Sequence, residues 1–300
     1  MGEAKYRIIQ DPVWKYRRLD PVPAEEEVTE FYQRYYYELV RRGGRAPGLR
    51  RLTSENTPEA EAEASWLHAT LYTDIVAVLE EHSPPSRYLL DVGCGTGEFV
   101  AFVQKNGWKA VGVEPSEQAA AVARGRGLEV HNSSIEEVAA HPECKANFGV
   151  VSLLNVLEHV PDPVKLLCAV KRLLVPGGLV VIQVPNDFNE LQLAAAQQLD
   201  REPWWVAIPD HINYFDFPSL GTLLAKNGFQ VVYAQSDFPM EWFLLMGDDY
   251  VDNAEVGSRC HHKRVCFEMN IPSELRRRIY RAFAKLRIGR QCLVFGRKSA

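Results

Sequence analysis

The sequence predicts a doubly wound α/β fold: a seven-stranded, mostly parallel sheet with helices on both faces, an N-terminal helical extension and an insert before the last strand. Three observations carry this. From Tyr88 onward, short apolar runs alternate with helical patterns, which builds a parallel sheet covered on both faces. The helical stretches open on capping residues and several close on glycine. Finally, 300 residues with 46% hydrophobic content can bury a core of this size.

Residues 1–57 stand apart as an accessory segment. "FYQRYYYELVRR" (31–42) reads as a short helix, and the "GGRAPGLRRLTSENT" that follows as a linker. The main domain is expected over 58–300. It opens on Thr57-Pro58, an N-cap followed by a first-turn proline, with Trp66, Leu67, Leu71, Ile75, Val78 and Leu79 facing inward until Ser83-Pro84-Pro85 ends the helix.

Strands are predicted at 88–92, 109–114, 128–132, 148–154, 178–185, 229–236 and 291–297. Between them, Ser116 opens a helix that ends near Gly127, and "SSIE" (133–136) has capping-box spacing. Asp162-Pro163 opens a helix stopped by Pro176-Gly177-Gly178, and Pro218 opens one ended by Gly228. The insert covers about 237–290. Its "FPMEWFLLMGDDYVDN" suits a lid over a ligand or simple core packing. In the later "PSELRRRIYRAFAKLRIGR", Leu275, Ile279, Phe283 and Leu286 fall on one helical face, with Arg276, Arg277, Arg281 and Lys285 pointing elsewhere.

A formal net charge of −5 offers no global attraction for nucleic acid or an anionic membrane, and no apolar run approaches a membrane span. Six cysteines without a C-x-x-C suggest reduced thiols and a cytoplasmic setting. "CHHKRVC" (260–266) does not match a common zinc spacing, so no metal is expected. Oligomeric state cannot be read from these residues.

In a doubly wound sheet the ligand sits beyond the carboxyl ends of the strands. There the chain carries "YLLDVGCGTGEFV" (88–100). A dinucleotide fingerprint requires G-x-G-x-x-G, but after Gly93 and Gly95 the last position is Glu98, whose carboxylate would oppose a pyrophosphate. Asp91, at the strand end, suits a ligand with positive charge such as an α-amino group or a sulfonium. Glu114, seventeen residues after Gly97, can accept hydrogen bonds from a ribose diol. In "HNSSIEEV", Ser134 and Ile135 are placed to offer a backbone N–H and an apolar side chain to an adenine.

These residues resemble the class I S-adenosylmethionine-dependent methyltransferases, whose Rossmann-like fold the pattern matches. "LLDVGCGTGEF", "VGVEPS", "LLNVLEHVPDP" and "LLVPGGLVVIQVPN" look like four of their motifs in order, over roughly Tyr88 to Val232. The resemblance implies cofactor contacts at Asp91, Gly93, Gly95, Gly97, Glu114, Ser134, Ile135 and Asn155, with S-adenosyl-L-methionine as cofactor. Many relatives carry an Asp for the adenine amine where this chain has Ser133-Ser134.

Glu158-His159 directly follow the fourth strand, in the crevice where the donor's methyl group should point. A histidine there suits a general base that removes a hydroxyl proton during attack. A packing or capping role is the plain alternative. "PWWVAIPDHINYFDFPSL" surrounds His211 with aromatics, and this segment resembles the substrate wall of quinone, sugar and natural-product methyltransferases. His159 and His211 are therefore the catalytic candidates.

The expected activity is methyl transfer to a small-molecule acceptor at oxygen or carbon. The alternatives are an adenosyl-cofactor-binding protein without acceptor chemistry and an NAD(P)-dependent oxidoreductase. From Arg259 onward twelve Lys or Arg stand against two Glu. This favours either a solvated basic face or an acceptor that is phosphorylated or nucleotide-linked.

Overall fold

The computed structural model describes residues 5–32, 57–142 and 146–299. Most of the helix expected at 31–42, and the linker after it, lie outside the described residues. The N-terminal segment is more than a helix and linker. It forms an antiparallel hairpin of β1 (Arg7–Gln10) and β2 (Arg17–Asp20), followed by helix α1 (Glu25–Glu30). Asp11 shapes the turn, its carboxylate accepting from the Val13 and Trp14 N–H groups and from Arg18.

The main domain begins with α2 (Pro58–Leu67), capped by the Thr57 hydroxyl as its sequence predicts, and continues through a π-helical turn (His68–Tyr72) into α3 (Thr73–His82). Then come β3 (Tyr88–Val92), α4 (Glu98–Lys105), β4 (Lys109–Val113), α5 (Glu117–Gly125), β5 (Val130–His131) and α6 (Ile135–Ala140). The second half holds β6 (Phe148–Leu154), α7 (Pro163–Leu173), β7 (Leu174–Pro185), α8 (Glu190–Gln198), β8 (Asn213–Tyr214), α9 (Phe217–Lys226) and β9 (Phe229–Gln235). The insert contributes α10 (Glu241–Leu245), α11 (Ala254–Asn270) and α12 (Ser273–Leu286), and β10 (Gln291–Lys298) closes the chain.

The seven-stranded sheet has the order β5-β4-β3-β6-β7-β10-β9, with β10 antiparallel to both neighbours. All seven strands predicted are present, and the doubly wound, mostly parallel architecture is as expected. Strand order reverses between β3 and β6, so a crevice opens above those two strand ends. Alternate residues feed two cores. Leu90, Val92, Val151 and Ile182 pack on α6, α7 and α9, whereas Leu89, Val150, Val181 and Phe295 pack on α3, α4 and α5. A second sheet, β1-β2-β8, ties the N-terminal hairpin to the loop that carries His211.

The insert has a small core of its own, in which Phe238, Met240 and Phe243 meet Cys260 and Tyr280. One expectation fails here. On α12, Leu275 and Leu286 are exposed, 41% and 62%, while Arg276 and Tyr280 are buried. The cause is electrostatic. The Arg276 guanidinium lies 2.9 Å from the buried Asp74 carboxylate on α3 and also donates to the Glu268 and Ala69 carbonyls. A planar five-donor group satisfied on every side outweighs the pull of two leucines.

Candidate functional site

A cleft of about 1080 Å³ opens over the strand ends at the reversal point. At one end, Asp91 is the last residue but one of β3 and Glu114 follows β4, both buried. The chain must turn sharply between β3 and α4, and Gly93, Gly95 and Gly97 all take positive φ, which glycine alone adopts freely. Glu114 holds the turn in place: one carboxylate oxygen accepts from the Gly95 N–H at 2.9 Å, the other from the Ser116 N–H at 2.8 Å. A carboxylate has about four lone-pair sites, so two remain for a ligand.

Burial raises the Glu114 pKa. Burial and the nearby Glu114 charge together push Asp91 up to about 7, against a hydrogen bond from Ser152 at 2.7 Å that favours its ionised form. No Lys or Arg pairs with either acid among the described residues. Two buried carboxylates without a cation fit a ligand that brings positive charge and hydroxyl donors.

Across the crevice, Asn155 follows β6 in the left-handed region, φ 57°, and a short 3-10 turn (Leu157–His159) presents Glu158 and His159. Four hydrogen bonds lace this turn to the His211 loop. The His159 ring nitrogen Nδ1 meets the Asp210 carbonyl at 2.9 Å, the Ile212 N–H donates to the Glu158 carbonyl at 2.7 Å, and the Asn213 side-chain amide donates to the carbonyls of Leu157 and Val160. Because a carbonyl only accepts, Nδ1 carries the hydrogen and Nε2 is left as the basic nitrogen. Nε2 lies 3.8 Å from Glu158 Oε1. Burial lowers the His159 pKa to about 4 and raises that of Glu158 to about 8, with the Asp187 charge adding to the latter.

The structure brings Asp91, Gly93, Gly95, Glu114, Ser134, Ile135, Asn155, His159 and His211 into the lining of one cleft. Gly97 is different. It stands behind the cleft, where an added Cβ would lie 2.4 Å from a Leu128 methyl, so its lack of a side chain serves helix packing. The Ser134 N–H is already engaged by Glu137 in a capping box, one residue later than the Ser133–Glu136 box that the "SSIE" spacing predicts. A backbone donor to an adenine would then come from a neighbouring position.

The sequence reading did not single out Asn213, whose role shows only once β8 is formed, or Tyr32, whose ring lies 5.5 Å from that of His159. Nor did it pick out the cluster of Glu158, His159 and His211, whose ligand atoms lie within 4.8 Å of one another. Such a trio can share a proton or hold a divalent ion, although no metal was expected. The "CHHKRVC" residues lie on α11, where Cys260 is buried in the insert core and His261 contacts Glu63. No metal-sized group forms there among the described residues. No helix among them is long and apolar enough to cross a membrane.

Comparison with known proteins accords with this geometry. The ubiquinone biosynthesis O-methyltransferase of Hahella chejuensis is 35% identical over 127 residues, covering 40% of this chain and 52% of that protein. That of Methylococcus capsulatus is 33% identical over 132 residues, covering 43% and 56%. The chain thus spans about half the length of the curated relatives it matches. Among solved structures, the 1,6-didemethyltoxoflavin-N1-methyltransferase of Burkholderia thailandensis superposes with TM-score 0.51 at 15% identity, over 100% of this chain and 98% of that one. The [4+2]-cyclase SpnF gives 0.53 at 16%, over 93% and 98%. These two likenesses concern the fold alone, and the second shows that one fold can host more than one reaction. The family model described as a methyltransferase domain matches residues 64–234, more than half of the chain. The chain therefore belongs to the methyltransferase-domain family, the class I group that its glycine loop and following motifs resemble.

Proposed function

We propose that the chain transfers a methyl group from S-adenosyl-L-methionine to a small-molecule acceptor, with residues 58–300 as the catalytic domain and the 237–290 insert as a wall of the acceptor site. The observation that carries this is the pair of buried, cation-free carboxylates, Asp91 and Glu114, beside a glycine turn in the same cleft as His159 and His211. An oxidoreductase fits poorly, because Glu98 occupies the last glycine position of a dinucleotide fingerprint and is engaged by His68 and Arg126.

The cofactor, when bound, supplies an electrophilic methyl group on a positively charged sulfur. The chain does the rest. Glu114 would accept from the ribose hydroxyls, Asp91 would attract the positive charge, and the apolar side chain of Ile135 would pack on the adenine. Ser134 helps to frame that wall, and Gly93, Gly95 and Asn155 leave room for the donor. His159 Nε2 takes the acceptor's hydroxyl proton as the oxygen attacks, while His211 walls the same space. Orientation supplies much of the rate, since effective molarities for aligned reactants reach roughly 10⁵–10⁸ M.

Two of the three arginines facing the cleft from the insert, Arg264 and Arg276, are already paired with Asp237, Glu268 and Asp74, and the third, Arg290, stands among the Asp187, Asp237 and Glu241 charges. That favours an uncharged or cationic acceptor over a phosphorylated one. Calorimetric titration with S-adenosylhomocysteine tests the donor half: saturable binding is expected, and its absence would overturn the proposal. Production of S-adenosylhomocysteine from the methyl donor with a panel of hydroxylated compounds tests the acceptor half.

A further inference from the structure

The half of the cleft beyond the glycine turn has a polar floor. Gln183 on β7, Gln235 on β9 and Gln291 on β10 project to the same sheet face, because Gln183 and Gln235 both stand in register with Leu293 and Gln291 is two residues from it. The three are not equivalent. Gln235 is engaged, accepting from the Tyr233 hydroxyl and donating to Asp74. The side-chain oxygens of Gln183 and Gln291 are buried with no hydrogen-bond partner among the described residues, as is Glu158 Oε2 at the reacting end. Glu158 and Gln183 are only 2% and 8% exposed, and all three residues line the cleft.

Buried polar atoms are normally paired, so a group of orphans in a cavity wall marks a ligand's partners. The backbones that carry the amides are pinned. The Gln291 N–H donates to Asp237 and its carbonyl accepts from the Ser236 hydroxyl, while the Gln183 carbonyl accepts from the Asn155 N–H at 2.8 Å. Leu293 between them is apolar and 2% exposed. An amide can turn either end toward a ligand, and the unpaired Glu158 oxygen takes a donor where its carboxyl is ionised, above about 8. The wider charge balance agrees: thirteen acidic residues line the cleft against four basic ones. A plain aromatic ring set on this floor would leave the two amide oxygens dry and unpaired.

Building on the methyl-transfer reading, we propose that the acceptor is rich in hydrogen-bond donors, an amino or polyhydroxy compound, and that Gln183 and Gln291 determine this specificity.

The test uses the full chain saturated with S-adenosylhomocysteine and follows the melting temperature with glucosamine, glucose or catechol added at high concentration. Glucosamine or glucose should raise it by ~2 °C or more and catechol by less. Glucosamine alone acting identifies an amine, and both acting identify a polyol. Gln183→Met and Gln291→Met should each abolish the shift and, by removing an orphaned polar atom, raise the melting temperature of the unliganded chain. Affinity for S-adenosylhomocysteine should stay within about twofold of the parent, since these residues lie outside the donor end. A shift with catechol as large as with the sugars, no shift with any probe, or a sugar shift that survives both substitutions would overturn the assignment. Failure to bind S-adenosylhomocysteine would instead strike the methyl-transfer reading itself.

Discussion

The rings of His159 and His211 meet edge to face, with centroids 5.0 Å apart and planes at 78°. Neither residue holds this arrangement alone. It is set by the bonds between the 157–160 turn and the 210–213 loop, so the two histidines form one unit.

His159→Ala and His211→Ala should therefore each retain the cofactor, while at least one lowers turnover by about 10²-fold or more. The loss should shrink as pH rises and the acceptor hydroxyl ionises unaided. Burial holds His159 at about 4, and a base is competent above its pKa, so kcat in the parent should show no acid limb near 6.5 from this residue. Steady-state kinetics between pH 5 and 9 would check both points, and normal turnover in both variants would exclude the histidines as base.

Asn213→Ala should act through position. It removes the two hydrogen bonds to the Leu157 and Val160 carbonyls, at a cost of about 1–3 kcal/mol in stability for buried groups left unpaired. The drop in kcat should exceed any change in cofactor affinity. Chemical denaturation and turnover on the same preparation would separate the effects.

Gly95→Val should abolish S-adenosylmethionine binding, because a branched side chain is strained at φ 55° and intrudes where a ligand approaches the turn. Glu114→Ala should weaken binding through the lost ribose hydrogen bonds, each worth roughly 1.5–3 kcal/mol, and through release of the Gly95 and Ser116 N–H groups. Calorimetry on folded variants decides; unchanged affinity would place the donor elsewhere.

Affinity for the positively charged donor should depend on pH through Asp91. With a pKa raised to about 7, this carboxyl is largely protonated at pH 6 and ionised at pH 8. Only the ionised form attracts a cation, so binding should tighten as pH rises through 7, by at most about tenfold per unit. Asp91→Asn should flatten that dependence in a titration series, whatever it does to the affinity itself.

Arg276→Ala should destabilise the chain by about 3–5 kcal/mol, since it strands the Asp74 carboxylate in a buried place. A denaturant midpoint close to that of the parent would show that Asp74 finds another partner.

The glycine turn and the two acids beside it were legible because backbone chemistry dictates them. Gly93 and Gly95 permit the turn, and Asp91 and Glu114 stand at the ends of β3 and β4, whose apolar runs are plain. Gly97 stands apart in the structure but not in the sequence, because a glycine required for contact with Leu128 looks the same there as one that lines a cleft. The α12 face was misjudged for a related reason: periodicity counts leucines and does not see the Asp74 that waits for Arg276. The hairpin at 7–20 escaped notice because "RIIQ" and "RRLD" are four residues each, without alternation, and the third strand of their sheet lies far along the chain. The orphaned glutamine oxygens were beyond reach for a simpler cause. Only coordinates show which buried amide lacks a partner.

The pairing of β2 with β8 also bears on how the chain is made. Arg17 stands opposite Tyr214, about 200 residues later. At a synthesis rate of roughly 5–20 residues per second, on the order of 10–40 s pass between the two leaving the ribosome's catalytic centre. For that time the hairpin has no third strand, and the loop that positions His211 does not exist. The His211 side of the cleft is thus late to assemble, and a nascent protein interrupted before Tyr214 would carry the glycine turn without it. Substitutions at Arg17 or Arg18 should accordingly lower the yield of active enzyme during translation more than they lower the activity of molecules already folded.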